Sequence, residues 1–312
     1  MRSAPWRTRA TLSLVAALAL TAAACGDDSS PSATQPAPSG DRTLRISAIP
    51  DQDPAKLVEI NSAMATYLAA ALGVKVEYVP VSDYAASVSL FRAGDLDMVF
   101  FGGLTGVQAR LQAPGSTLLA QRDVDDAFRS VFIAGTGSGV GPMTDVAGLA
   151  AFKGKRFTFG SESSTSGRLM PEFFLDQAGV TSERDFTGAP GYSGSHDKTV
   201  DLVEAGSFDG GALNAAVWDR RKAAGTVDQT KVVEVFRTPP YRDYHWIAGP
   251  RTDERFGAGF AEKAKAALLA LDYANPEHTR LLDLYSAKKF IPTEAGHYRE
   301  IESIGRKLRL IS

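Results

Sequence analysis

Short apolar runs alternate with helical patterns from Thr43 to the C-terminus, and this alternation constrains the fold more than any other feature. The strand-like run "TLRISAIP" precedes "DPAKLVEINSAMATYLAAALG", whose apolar residues recur at helical spacing up to a stop at Gly73. Strand-like "KVEYVPV", helical "DYAASVSLFRAG" and strand-like "LDMVFFG" follow. Such units predict an α/β fold with largely parallel strands, in which loops at the carboxyl ends of the strands bind ligands.

A second series of α/β units begins at "SVFIAG", and a later strand, "DYHWIAGP", resembles it. Beyond that second strand the chain is nearly all helical in pattern. We therefore expect two lobes, the second inserted into the first. Lobe 1 would comprise residues 43–133 together with 246–312, lobe 2 would comprise 134–245, and the two "IAG" strands would be the crossovers.

The N-terminus has the pattern of an export signal. Arg2, Arg7 and Arg9 precede an apolar run that ends in small residues before Cys25. That run is shorter than the ~20 residues of an ordinary membrane span. The segment "TAAACG" resembles the end of a bacterial lipoprotein signal, which implies that residues 1–24 are a signal peptide and that Cys25 carries a lipid.

Residues 25–42 are rich in Ser, Pro and Gly, which predicts a flexible tether. Cys25 is the only cysteine, so the exported domain has no intramolecular disulfide and depends on its apolar core. The formal charge is −2, and it becomes about −5 once the three arginines of the signal are removed. This mild acidity argues against a general nucleic-acid or membrane-surface binder, so any anion site must be local.

The stretch "FGSESSTSGRLMPEFF" places hydroxyl side chains directly before a helical run; they belong to Ser161, Ser163, Ser164, Thr165 and Ser166. Such residues cap helices by accepting bonds from free N–H groups of the first turn. The same N–H groups and hydroxyls also bind anions. This window alone favours the cap and leaves the anion site open.

Motifs for catalysis are weak. Both "GSESS" and "GYSGS" miss the G-x-S-x-G elbow by one register, and two Ser-x-x-Lys matches occur without the motifs that accompany them in serine enzymes. The four histidines, at 196, 245, 278 and 297, are widely spaced and do not form a metal-binding pattern. We therefore expect neither an enzyme nor a cofactor, with a lipoprotein hydrolase or a sensory binding module as the alternatives.

Several motifs together resemble one protein family. "SAIPD", "YVPVSDYAA", "LFRAGDLDMVFFGG", "FGSESSTSGRLMP", "GYSGSHDKTVDLVEAGSFDGGAL" and "TPPYRDYHWIAGP" occur in the order seen in substrate-binding lipoproteins of phosphate, phosphite and phosphonate importers. The chain most resembles the branch described as selenate-binding. The resemblance implies a type II periplasmic-binding-protein fold, with two lobes of mixed sheets joined by two hinge crossovers.

The resemblance also implies function. Such a protein is a lipid-anchored, extracytoplasmic monomer that closes on an oxyanion and delivers it to an ABC permease and its ATPase. Carried over by motif, the ligand-binding residues are Ser164, Thr165, Ser166, His196, Tyr84, Phe101 and Tyr244. Many relatives have Tyr where this chain has Phe101. Arg168 is expected on the helix surface.

Relatives that bind aminoalkylphosphonates carry acidic residues at places that correspond to Ala216 and Tyr244, with Asp243 one residue from the second. A site without carboxylates suits a fully deprotonated dianion, because a buried carboxylate beside an anion is costly. The sequence therefore favours selenate or sulfate over 2-aminoethylphosphonate. An alkylphosphonate or phosphite is the alternative.

Overall fold

The computed structural model describes residues 42–311, which form two mixed β-sheets flanked by helices. The strands are β1 (Thr43–Ala48), β2 (Lys75–Tyr78), β3 (Met98–Phe101), β4 (Thr117–Arg122), β5 (Ser130–Gly135), β6 (Phe157–Phe159), β7 (Gly191–Tyr192), β8 (Gly210–Asn214), β9 (Val232–Arg237), β10 (His245–Ala248) and β11 (Phe290–Ile291). The helices are α1 (Pro54–Leu72), α2 (Tyr84–Ala93), α3 (Gly103–Gln112), α4 (Met170–Gln177), α5 (Ser182–Asp185), α6 (His196–Glu204), α7 (Ala215–Ala223), α8 (Thr252–Phe256), α9 (Phe260–Leu269), α10 (Pro276–Leu284) and α11 (Arg299–Lys307).

The N-terminal predictions fall outside this range. The signal peptide, Cys25 and nearly all of the tether precede the described residues. No helix within residues 42–311 combines the length and apolar character needed to cross a bilayer.

The first sheet has the strand order β11-β4-β10-β3-β1-β2. Strand β1 pairs parallel with β2 and β3, whereas β10 runs antiparallel to both β3 and β4. We call this sheet and its helices lobe 1. The antiparallel strand β10 is the returning chain, which makes the sheet mixed.

The second sheet has the order β7-β6-β8-β5-β9, and with its helices it forms lobe 2. Here β5 runs antiparallel between β8 and β9, while β6 pairs parallel with β7 and β8. The predicted α/β architecture of two lobes with mixed sheets is confirmed.

The chain crosses between the lobes at residues 123–129 and 238–244, which differs from the predicted boundaries. Strand β5 pairs within the second sheet from its first residue, so a boundary between 133 and 134 would cut it. Strand β10 likewise lies wholly in the first sheet. The two "IAG" strands therefore flank the crossovers. The crossovers pair with each other, since Phe128 N–H donates to Tyr241 O at 2.7 Å and Tyr241 N–H donates back at 2.9 Å.

Helix α1 shows how local signals position the loop that precedes it. The Asp53 side chain accepts from the N–H groups of Ala55 and Lys56, Pro54 occupies the first turn, and Gly73 ends the helix with φ of 68°. The buried face is the predicted apolar stripe and includes Leu57, Ile60, Met64 and Leu68. The loop from Asp51 to Asp53 is thereby fixed between β1 and α1, where it contacts lobe 2.

Candidate functional site

The Ser-rich turn after β6 folds back on itself before the next helix. Gly160 N–H donates to Gly167 O at 2.8 Å, and a Cβ on Gly160 would lie only 3.2 Å from the Gly167 Cα. Ser164 Oγ accepts from Gly167 N–H at 2.9 Å, so Ser164 caps a wide first turn, Thr165–Leu169, that runs into α4. Ser164 is therefore the helix cap that the sequence predicted. The cap leaves other N–H groups of the first turn without partners inside the helix.

The next two residues of the turn are buried between the lobes. Thr165 Oγ1 accepts from Leu104 N–H of lobe 1 at 2.9 Å. Ser166 accepts through its backbone oxygen from Ser130 Oγ at 2.7 Å, but its own Oγ has no hydrogen-bond partner among residues 42–311. A buried hydroxyl without a partner is costly, so Ser166 Oγ is a group that a ligand can satisfy.

Tyr84 begins α2 and is buried, and its phenol faces the same turn. Its Oη has no partner of hydrogen-bonding geometry within the described chain, although Ser164 lies beside it. Burial, followed by the nearby carboxyl of Asp51, raises the pKa of Tyr84 well above its ordinary value. The phenol therefore keeps its proton and can donate it in a hydrogen bond.

Asp243, in the second crossover, brings a carboxyl group to the turn. Its Oδ1 accepts from Gly103 N–H at 2.8 Å at the start of α3, whereas its Oδ2 is buried with no partner in the described part of the chain. Burial raises the pKa of Asp243 to about 7, even though the bond from Gly103 acts in the opposite direction. The premise of a carboxylate-free site is therefore wrong, and Asp243 can hold a proton near neutral pH.

His196 is the first residue of α6 and is fully buried. Its Nδ1 accepts from Asn214 N–H at 3.3 Å, so its hydrogen is on Nε2, which lies 3.3 Å from Tyr244 Oη. Burial, assisted by the charge of Arg220, lowers the pKa of His196 to about 3. His196 is thus a neutral imidazole with one donor.

Tyr244 is fixed by hydrogen bonds to its hydroxyl and by contacts to its ring. Its Oη donates to Asp51 Oδ2 at 2.8 Å and accepts from Asn214 Nδ2 at 3.2 Å. Its ring stacks on Phe100 at a centroid distance of 5.5 Å, and the Arg122 guanidinium lies 5.0 Å from its centroid. The phenol hydrogen is committed to Asp51, whose pKa burial raises to about 6. Tyr244 is therefore a wall of the site rather than a free donor.

We refer to Ser164, Thr165, Ser166, Tyr84, His196 and Asp243 as the seat. Phe101 packs edge-on against Phe91 at 5.4 Å, and the aromatic that stacks on Tyr244 is its neighbour Phe100, so a ligand contact of Phe101 stays a prediction. The expected position of Arg168 does not match the structure. Arg168 is buried rather than on the surface, because it pairs with Glu172 and lies over the rings of Phe159 and Tyr192.

Beyond Tyr244 lies a separate space that we call the side cavity. It has a volume of about 40 Å³. Its polar lining includes Asp51, Gln52, Asn61, Arg122, Asn214 and Arg220. Ala216 lines it from lobe 2. Sequence reasoning missed Asp51, for which the only signal is two aspartates in one loop at the carboxyl end of a strand.

The loop from Asp51 to Asp53 joins the lobes above the seat. Asp51 O accepts from His196 N–H at 2.9 Å, and Asp53 N–H donates to Asp197 Oδ2 at 3.0 Å. Gln52 Oε1 accepts from Arg220 Nη2 at 2.5 Å. The lobes are thus in contact across the seat. No group of three His, Cys, Asp or Glu within residues 42–311 is placed to hold a metal ion.

Comparison with known proteins places the chain among transport proteins. The family model described as "ABC transporter, phosphonate, periplasmic substrate-binding protein" matches residues 46–298. The chain is 46% identical over 279 residues to the "Probable ABC transporter phosphite binding protein PhnD1" of Prochlorococcus marinus, covering 89% of this chain and 94% of that protein. It is 30% identical over 205 residues to the "Phosphate-import protein PhnD" of Mycolicibacterium smegmatis, covering 63% and 62% of the two chains.

Solved structures agree. The structure of Prochlorococcus marinus PhnD1 in complex with methylphosphonate matches with a TM-score of 0.84 at 45% identity, covering 87% of this chain and all of that one. A binding protein component of an ABC phosphonate transporter from Pseudomonas aeruginosa matches with a TM-score of 0.73 at 16% identity, covering 86% of each chain. The second match shows the fold alone.

Proposed function

The chain belongs to the family of periplasmic substrate-binding proteins of phosphonate ABC transporters, and from this premise we propose that it captures phosphite or a short alkylphosphonate in the seat. The proposal makes it a binding protein rather than an enzyme. Its cargo would pass to an ABC permease and ATPase.

One observation carries the proposal. Three polar atoms from different elements are buried at the seat without partners within residues 42–311: Tyr84 Oη, Ser166 Oγ and Asp243 Oδ2. Each such atom costs about 1–3 kcal/mol when buried alone. A tetrahedral oxyanion offers several oxygens to one small volume, so a single ligand could satisfy all three. The free N–H groups of the turn from Thr165 would add donors and favourable helix-dipole interactions.

The charge of the seat favours a ligand that shares a proton. A carboxylate facing a complete dianion is repelled, whereas a carboxyl and a ligand oxygen with one proton between them form a strong hydrogen bond. Asp243, with a pKa of about 7, can enter such a bond near neutral pH. Phosphite and phosphonates carry an ionisable proton in this range, but selenate and sulfate do not. The preference for selenate is therefore withdrawn in favour of the phosphorus oxyanions.

The remaining seat residues have roles that follow from their geometry. Ser164 holds the turn, and Ser166 would donate its unpartnered hydroxyl from lobe 2, together with the Thr165 hydroxyl, which also lies within reach of Asp243. His196 would share its Nε2–H between Tyr244 Oη, 3.3 Å away, and the ligand, and Tyr84 offers its phenol from lobe 1. We propose that the lobes open and close about the crossovers at 123–129 and 238–244, as in hinged binding proteins.

The cellular arrangement completes the proposal. Cys25 would anchor a monomer by its lipid to the outer face of the cell membrane, without a nucleic-acid partner. Replacing Cys25 with Ala should release the protein from the membrane fraction into the soluble fraction. Retention of the variant in the membrane fraction would argue against this anchor.

Calorimetric titration of the purified protein tests the ligand. We expect phosphite and methylphosphonate to bind more tightly than phosphate, and selenate and sulfate to bind most weakly at pH 8. If neither phosphite nor methylphosphonate binds with a Kd below about 1 mM, which corresponds to ~4 kcal/mol, the proposed function is wrong. The hydrolase alternative instead requires turnover of a simple ester that is lost in Ser164→Ala, and we expect no turnover.

A further inference from the structure

The seat and the side cavity are neighbours, and Tyr244 stands between them. Tyr244 lines the side cavity, and its Oη lies 3.3 Å from Nε2 of His196 in the seat. The other seat residues do not line the cavity; they are Ser164, Thr165, Ser166, Tyr84 and Asp243. Tyr84 and Asp243 of the seat lie near Tyr244, and Asp51, which lines the side cavity, accepts its hydrogen bond. Tyr244, with its bond to Asp51, therefore lies between the residues of the seat and the side cavity, and we call it the partition.

The partition is rigid. The Tyr244 ring is stacked on Phe100, meets Phe128 edge-on at 5.4 Å and lies under the Arg122 guanidinium. The position of Arg122 is in turn fixed by Asp125, which it contacts through Nε and Nη2 at 2.7 Å each. With its hydroxyl also bonded at 2.8 Å to Asp51, Tyr244 cannot rotate away without breaking several contacts at once.

The side cavity has a definite capacity. Its volume of about 40 Å³ compares with the roughly 10–15 Å³ that one buried water needs, so it has room for about three waters or a chain of similar size. Its walls combine apolar side chains, such as Leu57 and Ile60, with the carboxyl of Asp51 and the amides of Asn61 and Asn214. A two-carbon arm that ends in a hydrogen-bond donor matches this volume and chemistry.

We propose that Tyr244 is the residue that sets ligand size in this protein: it excludes phosphonates with a substituent longer than methyl, and shortening it would join the side cavity to the seat and admit a two-carbon polar arm. This inference rests on the proposed function, because it concerns the substituent of a ligand whose oxyanion occupies the seat. Asp51, released from Tyr244, would accept a hydrogen bond from the end of the arm.

The unmodified protein provides the first test. Calorimetry with phosphite, methylphosphonate, ethylphosphonate and 2-aminoethylphosphonate at pH 7 measures the size limit directly. We expect the two longer ligands to bind at least about 10-fold more weakly than methylphosphonate, within the range that one methylene contributes in a closed pocket. Equal affinity for methylphosphonate and 2-aminoethylphosphonate would overturn the proposal without any variant.

Variants of Tyr244 provide the second test. In Tyr244→Ala, and in the less drastic Tyr244→Val, we expect the affinity ratio of 2-aminoethylphosphonate to methylphosphonate to rise by about 10-fold or more. Tyr244→Phe is the matched control: it retains the stacked ring and loses only the hydroxyl, so the affinity for all ligands should fall together and the ratio should stay within about threefold. Adding Asp51→Asn to Tyr244→Ala should lower binding of 2-aminoethylphosphonate more than binding of ethylphosphonate.

The outcomes separate this inference from the proposed function. Circular dichroism and methylphosphonate binding first establish which variants are folded. If the unmodified protein binds neither phosphite nor methylphosphonate, the proposed function fails. If it binds them but folded Tyr244→Ala and Tyr244→Val leave the affinity ratio of 2-aminoethylphosphonate to methylphosphonate unchanged, Tyr244 does not set ligand size. The same conclusion holds if Tyr244→Phe raises that ratio as much as Tyr244→Ala does.

Discussion

Replacing Asp243 with Asn should remove the pH dependence of anion binding. The amide retains an oxygen for Gly103 N–H, which donates to Oδ1 at 2.8 Å, so the start of α3 keeps its partner. In place of the unpartnered Oδ2, the variant carries an NH₂ group that donates at every pH. The change therefore alters the protonation chemistry of the seat while largely preserving its shape.

The magnitude follows from the pKa of about 7 for Asp243. Selenate does not titrate near neutral pH, so it binds well only to the protein whose Asp243 carries a proton. Well above pH 7 that fraction falls tenfold per unit, which costs about 1.4 kcal/mol per pH unit. The protonated fraction is about one half at pH 7 and about 3% at pH 8.5, so the wild-type affinity should fall roughly 15-fold between them. In Asp243→Asn it should stay constant within about threefold, because no proton is required.

Other titrating groups do not account for such a slope. His196, whose pKa burial lowers to about 3, stays neutral across this range, and burial raises the pKa of Tyr84 well above it. Asp51, with a pKa of about 6, has already ionised at pH 7 and lies behind Tyr244. Asp125 is paired with Arg122, whose Nη2 lies 2.7 Å from Asp125 Oδ1 and opposes the rise in the pKa of Asp125 that burial causes.

The assay is calorimetric titration with selenate at constant ionic strength, from pH 6 to pH 8.5, because salt screens the anion's interactions. At pH 8.5 the variant should bind selenate about tenfold more tightly than the wild type, or more. Asp51→Asn serves as the control and should keep the wild-type slope above pH 7. The reasoning is refuted if Asp243→Asn keeps that slope or shows no gain in selenate affinity at pH 8.5.

The other predictions concern single contacts. Thr165→Ala should weaken methylphosphonate binding by about 1.5–3 kcal/mol, the range for a hydrogen bond to a charged group, as measured by calorimetry. Arg122→Met should lower the free energy of unfolding in urea by about 3–5 kcal/mol, because it leaves Asp125 buried and charged, and the further change Asp125→Leu should restore part of it. His196 and His245, whose pKa values burial lowers to about 3, should remain neutral, so two imidazole NMR signals should not shift between pH 8 and pH 5.

Each of these three predictions would be contradicted by a specific result. Thr187, an exposed threonine of lobe 2, is the control for Thr165, and equal losses in Thr187→Ala and Thr165→Ala would mean that the effect is not at the seat. A double variant at Arg122 and Asp125 that is less stable than Arg122→Met would contradict the penalty for an unpaired charge. If all four histidine signals titrate together near pH 6.5, His196 is not the buried neutral donor that the structure describes.

The sequence predicted elements whose signals are local. Helix α1 has its cap at Asp53, its stop at Gly73 and an apolar stripe between them, so each end is marked by adjacent residues. The crossovers lack such signals. Whether Ser130 belongs to the first or the second sheet depends on its pairing with Asn214, which a distant part of the chain supplies. The predicted boundary was therefore displaced by several residues, although the fold class was correct.

The errors at the site have one physical origin. In extended backbone, successive side chains point to opposite sides, so an alignment error of one residue assigns a side chain to the wrong side. Phe100, rather than Phe101, stacks on Tyr244, and the acid that was expected to be absent at Tyr244 is present one residue earlier, at Asp243. The prediction of selenate rested on that displacement together with the absence of an acid at Ala216. By contrast, the run from Ser164 to Ser166 tolerates such a shift, since its neighbours are also hydroxyls.

The seat explains why closure should depend on the ligand. Closing the lobes without a ligand would bury Tyr84 Oη, Ser166 Oγ and Asp243 Oδ2 without partners, at about 1–3 kcal/mol each. The loop from Asp51 to Asp53 gains only a few bonds to lobe 2, each with a net contribution of about 0.5–1.5 kcal/mol. The cost, about 3–9 kcal/mol for three atoms, is larger than the gain, about 1.5–4.5 kcal/mol for three bonds, so the empty protein should favour the open state. A ligand that satisfies the three atoms removes the cost of closure, and the gain from the loop then favours the closed state.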